Sequence, residues 1–129
     1  MFLSTHFFYS QSLEDYLWEN RLLFILNPDG EKPAEHQQLK VFLGYDQEIK
    51  ARDLLIFIVA DSKVFDAAGN PVDFEIEKIP HPSYRGLILI GKDGSIKLKE
   101  PFVVSPLEIF DLIDSMPMRR AEMKKSKQN

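Results

Sequence analysis

Two short apolar runs mark the first half of the chain, at residues 22–26 and 54–60. Both are rich in branched and aromatic side chains, both are too short for a typical helix, and neither alternates with polar residues. This pattern is typical of central strands that are covered on both faces of a sheet. We therefore predict two buried strands.

The segment between the two runs has a helical pattern. Pro33 suits the first turn of a helix, where its missing amide hydrogen would be unpaired in any case. Gly44 weakens the middle of the pattern, so we expect the helix to kink or break there. Strand, helix and strand together predict a right-handed parallel crossover. The apolar residues that roughly share one helical face are Leu39, Phe42, Leu43 and Ile49.

Residues 61–85 are less regular. They contain two turn signals, Gly-Asn-Pro at residues 69–71 and Pro-His-Pro at residues 80–82. The apolar residues between these turns fit either a short strand or a single helical turn, and both alternatives stay open. These residues are Phe74, Ile76 and Ile79.

A hairpin is predicted next. Residues 87–90 and 96–98 flank the pair Asp93-Gly94. An Asp-Gly pair between two apolar runs is a strong hairpin signal, because glycine tolerates the positive φ of a tight turn. We expect two antiparallel strands.

A helix start follows at Ser105. Its hydroxyl can cap the helix, Pro106 fits the first turn, and Glu108 can reach back to complete a capping box. An apolar stripe continues to Met116, and Pro117 ends the regular pattern. The stripe comprises Leu107, Ile109, Phe110, Leu112, Ile113 and Met116.

The predicted order is therefore strand, helix, strand, irregular segment, hairpin and helix. A parallel pair joined to an antiparallel hairpin, with helices against the sheet, is the thioredoxin-like plan. We predict an α/β fold, namely a thioredoxin-like three-layer sandwich with a mixed sheet of about four strands flanked by helices.

Composition narrows the function classes. A chain of 129 residues supports one domain with one core. It has no cysteine, which excludes disulfides, thiol catalysis and cysteinyl metal sites. No run approaches the roughly 20 apolar residues of a membrane helix. The start lacks the basic residues and cleavage pattern of an export signal, and the sequence leaves localisation unknown.

The net charge of −4 is unevenly distributed. Residues 119–129 carry five basic side chains and one acidic one, so residues 1–118 must carry −8. An acidic body with a short basic tail is unlike a nucleic-acid binder, which has a wide basic face. We expect an N-terminal extension at 1–12, a domain at 13–118 and a solvated basic tail at 119–129, with contact to an acidic partner or membrane surface as the alternative for the tail.

Three stretches resemble a known family. They are SLEDYLWENRLLFIL at residues 12–26, LILIGKDGSIKLK at 87–99 and LIDSMPMRRAEM at 112–123. The third is the most specific, because it follows an Ile-Asp-x-Met-Pro-Met-Arg-Arg signature. Together they are similar to a family of thioredoxin-like domains of unknown function, found mainly in bacteria and repeated in a vertebrate coiled-coil-domain-containing matrix protein. The resemblance spans about residues 13–123.

The resemblance implies a fold rather than a reaction. Family members are thioredoxin-like or peroxiredoxin-like in shape, without a dependable Cys-x-x-Cys pair. Many bacterial members look exported, and the vertebrate ones are extracellular. This chain departs from that pattern because it lacks a convincing signal peptide. Its middle segment, residues 64–84, is also short and leaves little room for the second helix of a full thioredoxin fold.

The loop after the first strand is one candidate binding edge, since a redox relative would carry its cysteines there. Backbone amides at a helix start can hold an anion, but carboxylates in this loop would repel one. A solvated turn and a degenerate binding edge are therefore the alternatives. The loop residues assigned to the edge are Asn27, Asp29, Gly30 and Glu31.

A second loop would meet the first at the same edge. Thioredoxin-like folds often carry a cis-proline before the third strand, and Pro80 or Pro82 would take that place. Tyr84 and Arg85 would add a surface for an extended peptide. His36 and His81 complete the candidate binding residues. A histidine–carboxylate metal site is conceivable there, but no metal motif is present and solvated histidines are expected. We assign no metal, no cofactor and no catalytic residue.

The C-terminal signature offers a third candidate surface. The ordinary interpretation is packing at a helix end, with methionines filling gaps and arginines meeting carboxylates. The alternative is an exposed contact surface for another subunit or protein. The residues are Met116, Met118, Arg119, Arg120 and Met123.

These observations favour a non-redox binding or interaction module whose partner is a protein, a peptide or a second copy of the chain. One alternative is a non-thiol enzyme that uses His36, His81 or Arg85 at the same edge, with or without a metal. Oligomerisation through the C-terminal helix is a third hypothesis.

Overall fold

The structure is a computed structural model that describes residues 12–29 and 32–127. Predictions for Gly30, Glu31 and nearly all of the N-terminal extension lie outside the described residues. The strands are β1 (Arg21–Asn27), β2 (Leu54–Ala60), β3 (Lys63–Asp66), β4 (Pro71–Val72), β5 (Gly86–Ile90) and β6 (Ile96–Glu100). The α-helices are α1 (Lys32–Lys40), α2 (Asp46–Ala51), α3 (Pro106–Asp114) and α4 (Pro117–Lys127), and single 3₁₀ turns cover Leu13–Tyr16 and Ile76–Lys78.

One mixed sheet contains all six strands in the order β4-β3-β2-β1-β5-β6. β1 and β2 run parallel, from Arg21 opposite Leu54 to Asn27 opposite Ala60, and every other pair is antiparallel. The predicted α/β class, parallel pair and hairpin are confirmed. The predicted count of about four strands is wrong, because β3 and β4 extend the sheet beyond β2.

Both faces of β1 are covered, which explains its uninterrupted apolar sequence. Successive side chains of a strand point to opposite faces. Leu23 and Ile25 therefore face the layer of α1 and α3, whereas Phe24 faces the opposite side. That opposite face is covered by the two 3₁₀ turns and an aromatic cluster. The ring centroids of Phe24 and Phe57 are 5.8 Å apart, and those of Phe24 and Phe74 are 5.7 Å apart.

The helical segment after β1 breaks where the glycine predicted it. α1 ends at Lys40 and α2 begins at Asp46, with Gly44 between them at φ +89°. Leu43 is 70% exposed, so its placement on the apolar face was wrong. The fully buried Gln38 ties α1 to the approach to α3, because its side chain donates to O of Val104 at 2.9 Å and accepts from N of Val104 at 2.7 Å.

The irregular segment resolves into a hairpin and one helical turn. β3 and β4 flank a turn in which Asp66 Oδ1 accepts from the backbone N of Ala68 and Asn70. Phe74 and Ile79 are buried on either side of the 3₁₀ turn Ile76–Lys78, which decides the open alternative in favour of a helical turn. Neither Pro80 nor Pro82 follows a cis bond; the cis bond in the described chain joins Phe102 to Val103.

The hairpin of β5 and β6 starts at a position that requires glycine. Gly86 has φ +151°, and a Cβ placed there would lie 2.8 Å from Cα of Pro101 and 2.8 Å from the ring of Tyr84. β6 is one outer strand of the sheet and carries the exposed Lys97 and Lys99. The other outer strand, β4, is two residues long and starts with a proline.

The C-terminal region contains α3 and α4, which Ser115 and Met116 separate. Ser105 Oγ accepts from N of Leu107 at 3.2 Å, as the cap predicted. Glu108 instead hydrogen-bonds the side chain of Glu100, which raises the pKa of Glu100. Leu107 is 58% exposed and does not belong to the buried stripe. Pro117 opens α4, so the predicted basic tail is helical as far as Lys127, and its lysines Lys124, Lys125 and Lys127 are exposed.

Candidate functional site

The carboxyl ends of β1 and β2 form the edge on which the predicted binding residues were placed. Asn27 ends β1 and is buried, and Asp29 is exposed two residues later. Gly86 lies opposite Leu26, so the chain that precedes β5 reaches the same edge. The structure therefore brings the two predicted loops together.

The second loop presents a mixed surface at this edge. His81 and Arg85 are exposed, whereas Pro82 and Tyr84 are half-buried. The ammonium group of Lys99 lies 4.6 Å from the ring centroid of Tyr84, so the aromatic face is already covered by a cation. That contact reduces the ring surface that Tyr84 offers to a peptide.

A groove of about 380 Å³ opens beside this edge, between α1 and the turn that joins β3 to β4. Of the predicted binding residues, His36 lines the groove, whereas His81, Tyr84 and Arg85 do not. Sequence reasoning missed the contributions of Asp61 and Lys63, which depend on the position of β3. The lining residues are Glu35, His36, Leu39, Ile58, Ala60, Asp61, Lys63, Phe65, Ala67, Ala68 and Gly69.

No metal centre is apparent in the described part of the chain. Within residues 12–29 and 32–127, no group of three or more histidine, aspartate and glutamate side chains is arranged to hold a metal ion. His36 and His81 are both exposed and lie on separate elements. No helix in these ranges has the length and apolar character needed to cross a membrane.

The opposite end of the sheet carries a network of charged side chains in which the cations Arg21 and Lys92 are buried. Arg21, which is 1% exposed, donates from Nη1 and Nη2 to the two carboxylate oxygens of Glu122 at 3.2 and 3.1 Å. Lys92, which is 8% exposed, donates to Glu122 at 2.7 Å and to Asp53 at 2.8 Å. Glu122 thus joins α4 to the start of β1 and to the β5–β6 turn.

A second group of ions lies beside the first. Arg52 donates to both oxygens of Asp114, at 3.1 and 2.8 Å, and its guanidinium lies 4.6 Å from the ring centroid of Phe110. Arg119 donates to Asp114 at 3.0 Å and to O of Ala51 at 2.9 Å. The two groups together fasten α2, α3 and α4 at one end of the sheet.

These contacts shift the pKa values of the groups that take part in them. Burial alone would raise the pKa of Glu122, but the hydrogen bonds from Arg21 and Lys92 outweigh burial and lower it. Burial likewise opposes the ionised form of Lys92, yet its pKa is raised by Asp53 and Glu122. The pKa of Asp114 is lowered because the hydrogen bonds from Arg52 and Arg119 exceed the effect of burial. In each ion pair, both groups stabilise the charged form of the other.

The predicted methionine and arginine surface divides between core, network and solvent. Met116 is buried and Met123 is half-buried. Arg119 is occupied by the ion pairs described above. Met118 and Arg120 are exposed. These five residues therefore do not form one continuous exposed surface.

Comparison with known families shows to which family the chain belongs. The model of a domain of unknown function, DUF4174, matches residues 12–122. The chain belongs to the DUF4174 family. It is also 30% identical, over 139 aligned residues, to coiled-coil domain-containing protein 80 of Danio rerio, an alignment that covers 88% of this chain and 16% of that relative. The chain thus spans less than a fifth of the relative's length. No solved structure gives a significant match.

All three stretches that resemble the DUF4174 family supply members of the charge network. Arg21 lies in the first stretch, Lys92 in the second, and Asp114, Arg119 and Glu122 in the third. Sequence reasoning expected the arginines of the third stretch to meet carboxylates, as Arg119 does, but it missed the contacts of Arg21, Lys92 and Glu122 in this DUF4174 domain. The available signal was Arg21 itself, because a charge that begins a strand covered on both faces requires a partner.

Proposed function

We propose that this DUF4174 domain is a non-redox, thioredoxin-like binding module that holds a protein or peptide segment in the groove between α1 and the β3–β4 turn. The observation that carries the proposal is the position of the groove at the carboxyl end of β2, one strand of the parallel pair. Ligands of open α/β sheets bind at that edge.

The strand arrangement supports the thioredoxin-like part of the proposal. β2-β1-β5-β6 combines one parallel pair with an antiparallel hairpin, as the thioredoxin-like plan does. The place of a second large helix is taken by β3, β4 and a 3₁₀ turn. Because the chain has no cysteine, it has no thiol chemistry at this edge, and binding is a use of the scaffold that needs none.

The groove has the composition of a small recognition pocket. Leu39, Ile58 and Phe65 supply apolar surface, while Asp61 and Lys63 supply polar groups. Its volume is near the lower limit of about 300 Å³ for ligand pockets. The groove therefore suits one or two side chains of an extended segment rather than a large cofactor.

The test is a selection of displayed random peptides on the purified protein, followed by affinity measurements. Ala67 is exposed at the groove, so Ala67→Trp fills it, and Lys63→Glu reverses one charge of its lining. Each change should lower the affinity of the protein for the selected peptides by about tenfold or more, equivalent to about 1.4 kcal/mol of binding free energy. Gln47→Trp, on the exposed side of α2, is the matched control.

Equal affinity for Ala67→Trp and Gln47→Trp, at unchanged melting temperature, would refute binding in the groove. A paired Tyr84→Ala and Arg85→Ala variant tests whether the segment continues across the second loop. The alternative is a non-thiol enzyme that uses His36, His81 or Arg85, and it would gain support if several of these groups shared the groove. Of these three, His36 alone lines the groove, so binding is the better supported function.

A further inference from the structure

We propose that Arg21 and Lys92 form a binding site for a protein carboxylate, that Glu122 fills this site from within the chain, and that α4 is a strap which an acidic peptide segment of a partner displaces. The site lies at the opposite end of β1 from the groove, so the proposal stands independently of binding there.

The cationic part of the site is built and held by the body of the fold. Arg21 Nη1 donates to O of Arg52 at 2.9 Å, which fixes the guanidinium while leaving both Nη groups directed at the carboxylate. Lys92 is held at the β5–β6 turn, where its O accepts from N of Trp18 at 2.7 Å. Fixed, desolvated donors of this kind favour a planar carboxylate because the guanidinium binds it bidentately.

The anionic part is supplied by an element with little other attachment. α4 has no fully buried residue, and the link between α3 and α4 is Ser115 and Met116. Its polar hold on the body comes from Glu122 and Arg119, through ion pairs and one hydrogen bond to O of Ala51, and its Met123 is half-buried. Ion pairs exchange partners readily, whereas an apolar interface of comparable strength would not offer a site to another carboxylate.

The charge of the site favours a single negative charge. Arg21 and Lys92 supply two positive charges, and Asp53, at 2.8 Å from Lys92, supplies one negative charge. The remaining single positive charge matches an aspartate or glutamate side chain. A phosphate dianion carries more negative charge than this single positive charge can balance. It would also lie near Asp53, whose like charge disfavours that ligand.

A path for such a segment is present beside α4. A groove of about 490 Å³ adjoins Glu122 and includes Arg119 and Lys127 among its lining residues. Asp53 and Glu122 also line the groove and balance these two cations, so the preference for a carboxylate comes from Arg21 and Lys92 rather than from the groove. A glutamate arriving along this groove would replace Glu122 at Arg21 while α4 leaves.

The first experiment is rescue of Glu122→Ala by a small carboxylate. Formate at about 0.2 M should raise the melting temperature of Glu122→Ala by several degrees over chloride at equal ionic strength, at which screening is the same. The unmodified protein and the control Glu108→Ala should show no formate-specific rise. Equal melting in formate and chloride would overturn the site. Equal rescue by phosphate would overturn the assignment to carboxylates.

The second experiment tests the strap in the unmodified full chain. Hydrogen exchange of residues 117–127 is followed with an oligo-glutamate peptide and, as a control, with oligo-glutamine. Oligo-glutamate should raise exchange in α4 while leaving α3 unchanged, and it should have no such effect in Arg21→Met. Unchanged exchange in α4 at millimolar peptide would overturn displacement, even if formate rescue succeeds.

Discussion

Asp114 connects two arginines that come from different parts of the chain. Arg52, at the end of α2, donates to both of its oxygens, and Arg119 on α4 donates to one. Asp114→Asn keeps the shape of the side chain and one acceptor oxygen but removes the negative charge. The variant therefore leaves the largely buried Arg52 without its counterion, and it leaves Arg119 with Glu122 alone, at 3.8 Å.

The free energy of unfolding that Asp114→Asn should lose lies between two limits. A hydrogen bond to a charged group contributes about 1.5–3 kcal/mol, and an exposed ion pair contributes about 0.2–1 kcal/mol. Asp114 is 31% exposed, and its partners Arg52 and Arg119 are 14% and 12% exposed. We expect a loss of about 2 kcal/mol in the free energy of unfolding, or about 8 °C in melting temperature for a domain of this size.

Urea unfolding at neutral pH, followed by far-ultraviolet circular dichroism, measures this loss. Asp111→Asn is the matched control because Asp111 is exposed on the same helix. A change in midpoint without a change in slope would show that stability alone has changed. A difference between the two variants below about 0.5 kcal/mol, the ordinary range for surface substitutions, would refute the reasoning.

The same variant carries a pH signature. The pKa of Asp114 is lowered in the folded protein by Arg52 and Arg119. Its contribution is therefore complete above the unfolded pKa of about 3.9 and is lost as the pH falls through the lower folded pKa. The stability difference between the unmodified protein and Asp114→Asn should shrink as the pH is lowered below about 4. A constant difference down to pH of about 2 would contradict this linkage.

Two further substitutions test local packing by thermal and urea unfolding. Gly86→Ala should cost about 3 kcal/mol, from positive φ and the backbone clash. Gly69→Ala should cost about 1 kcal/mol, since it shares the positive φ but has open space around the added Cβ; equal losses would refute the clash. Gln38→Leu should cost about 2 kcal/mol because it leaves two backbone groups of Val104 unpaired. The exposed neighbour variant Gln37→Leu should be nearly neutral, and a neutral Gln38→Leu would refute the role of the amide.

Elements encoded by local patterns were predictable from the sequence. The runs at 22–26 and 54–60 are apolar at every position, because both faces of their strands are covered. The break at Gly44 and the Asp93-Gly94 hairpin follow from backbone preferences of single residues. β3 was missed because it has four residues and one buried side chain, Val64, which is too short a pattern for periodicity.

The sites were predictable only in part, because their residues meet through the tertiary fold. His36 was recognised from its place after the first strand, but Asp61 and Lys63 reach the groove only once β3 has folded back on β2. Arg21 and Glu122 are 101 positions apart. No spacing rule connects residues at that separation, although the burial of Arg21 demands a partner of opposite charge.

The outer strands have a consequence for how the domain can be used within a longer protein. The brevity of β4, its initial Pro71, and the exposed Lys97 and Lys99 of β6 all hinder pairing with a foreign strand. Domains joined by a short linker face their neighbours at millimolar effective concentration. Outer strands that resist pairing allow such domains to lie close together on one polypeptide without adding strands to one another and forming fibrils.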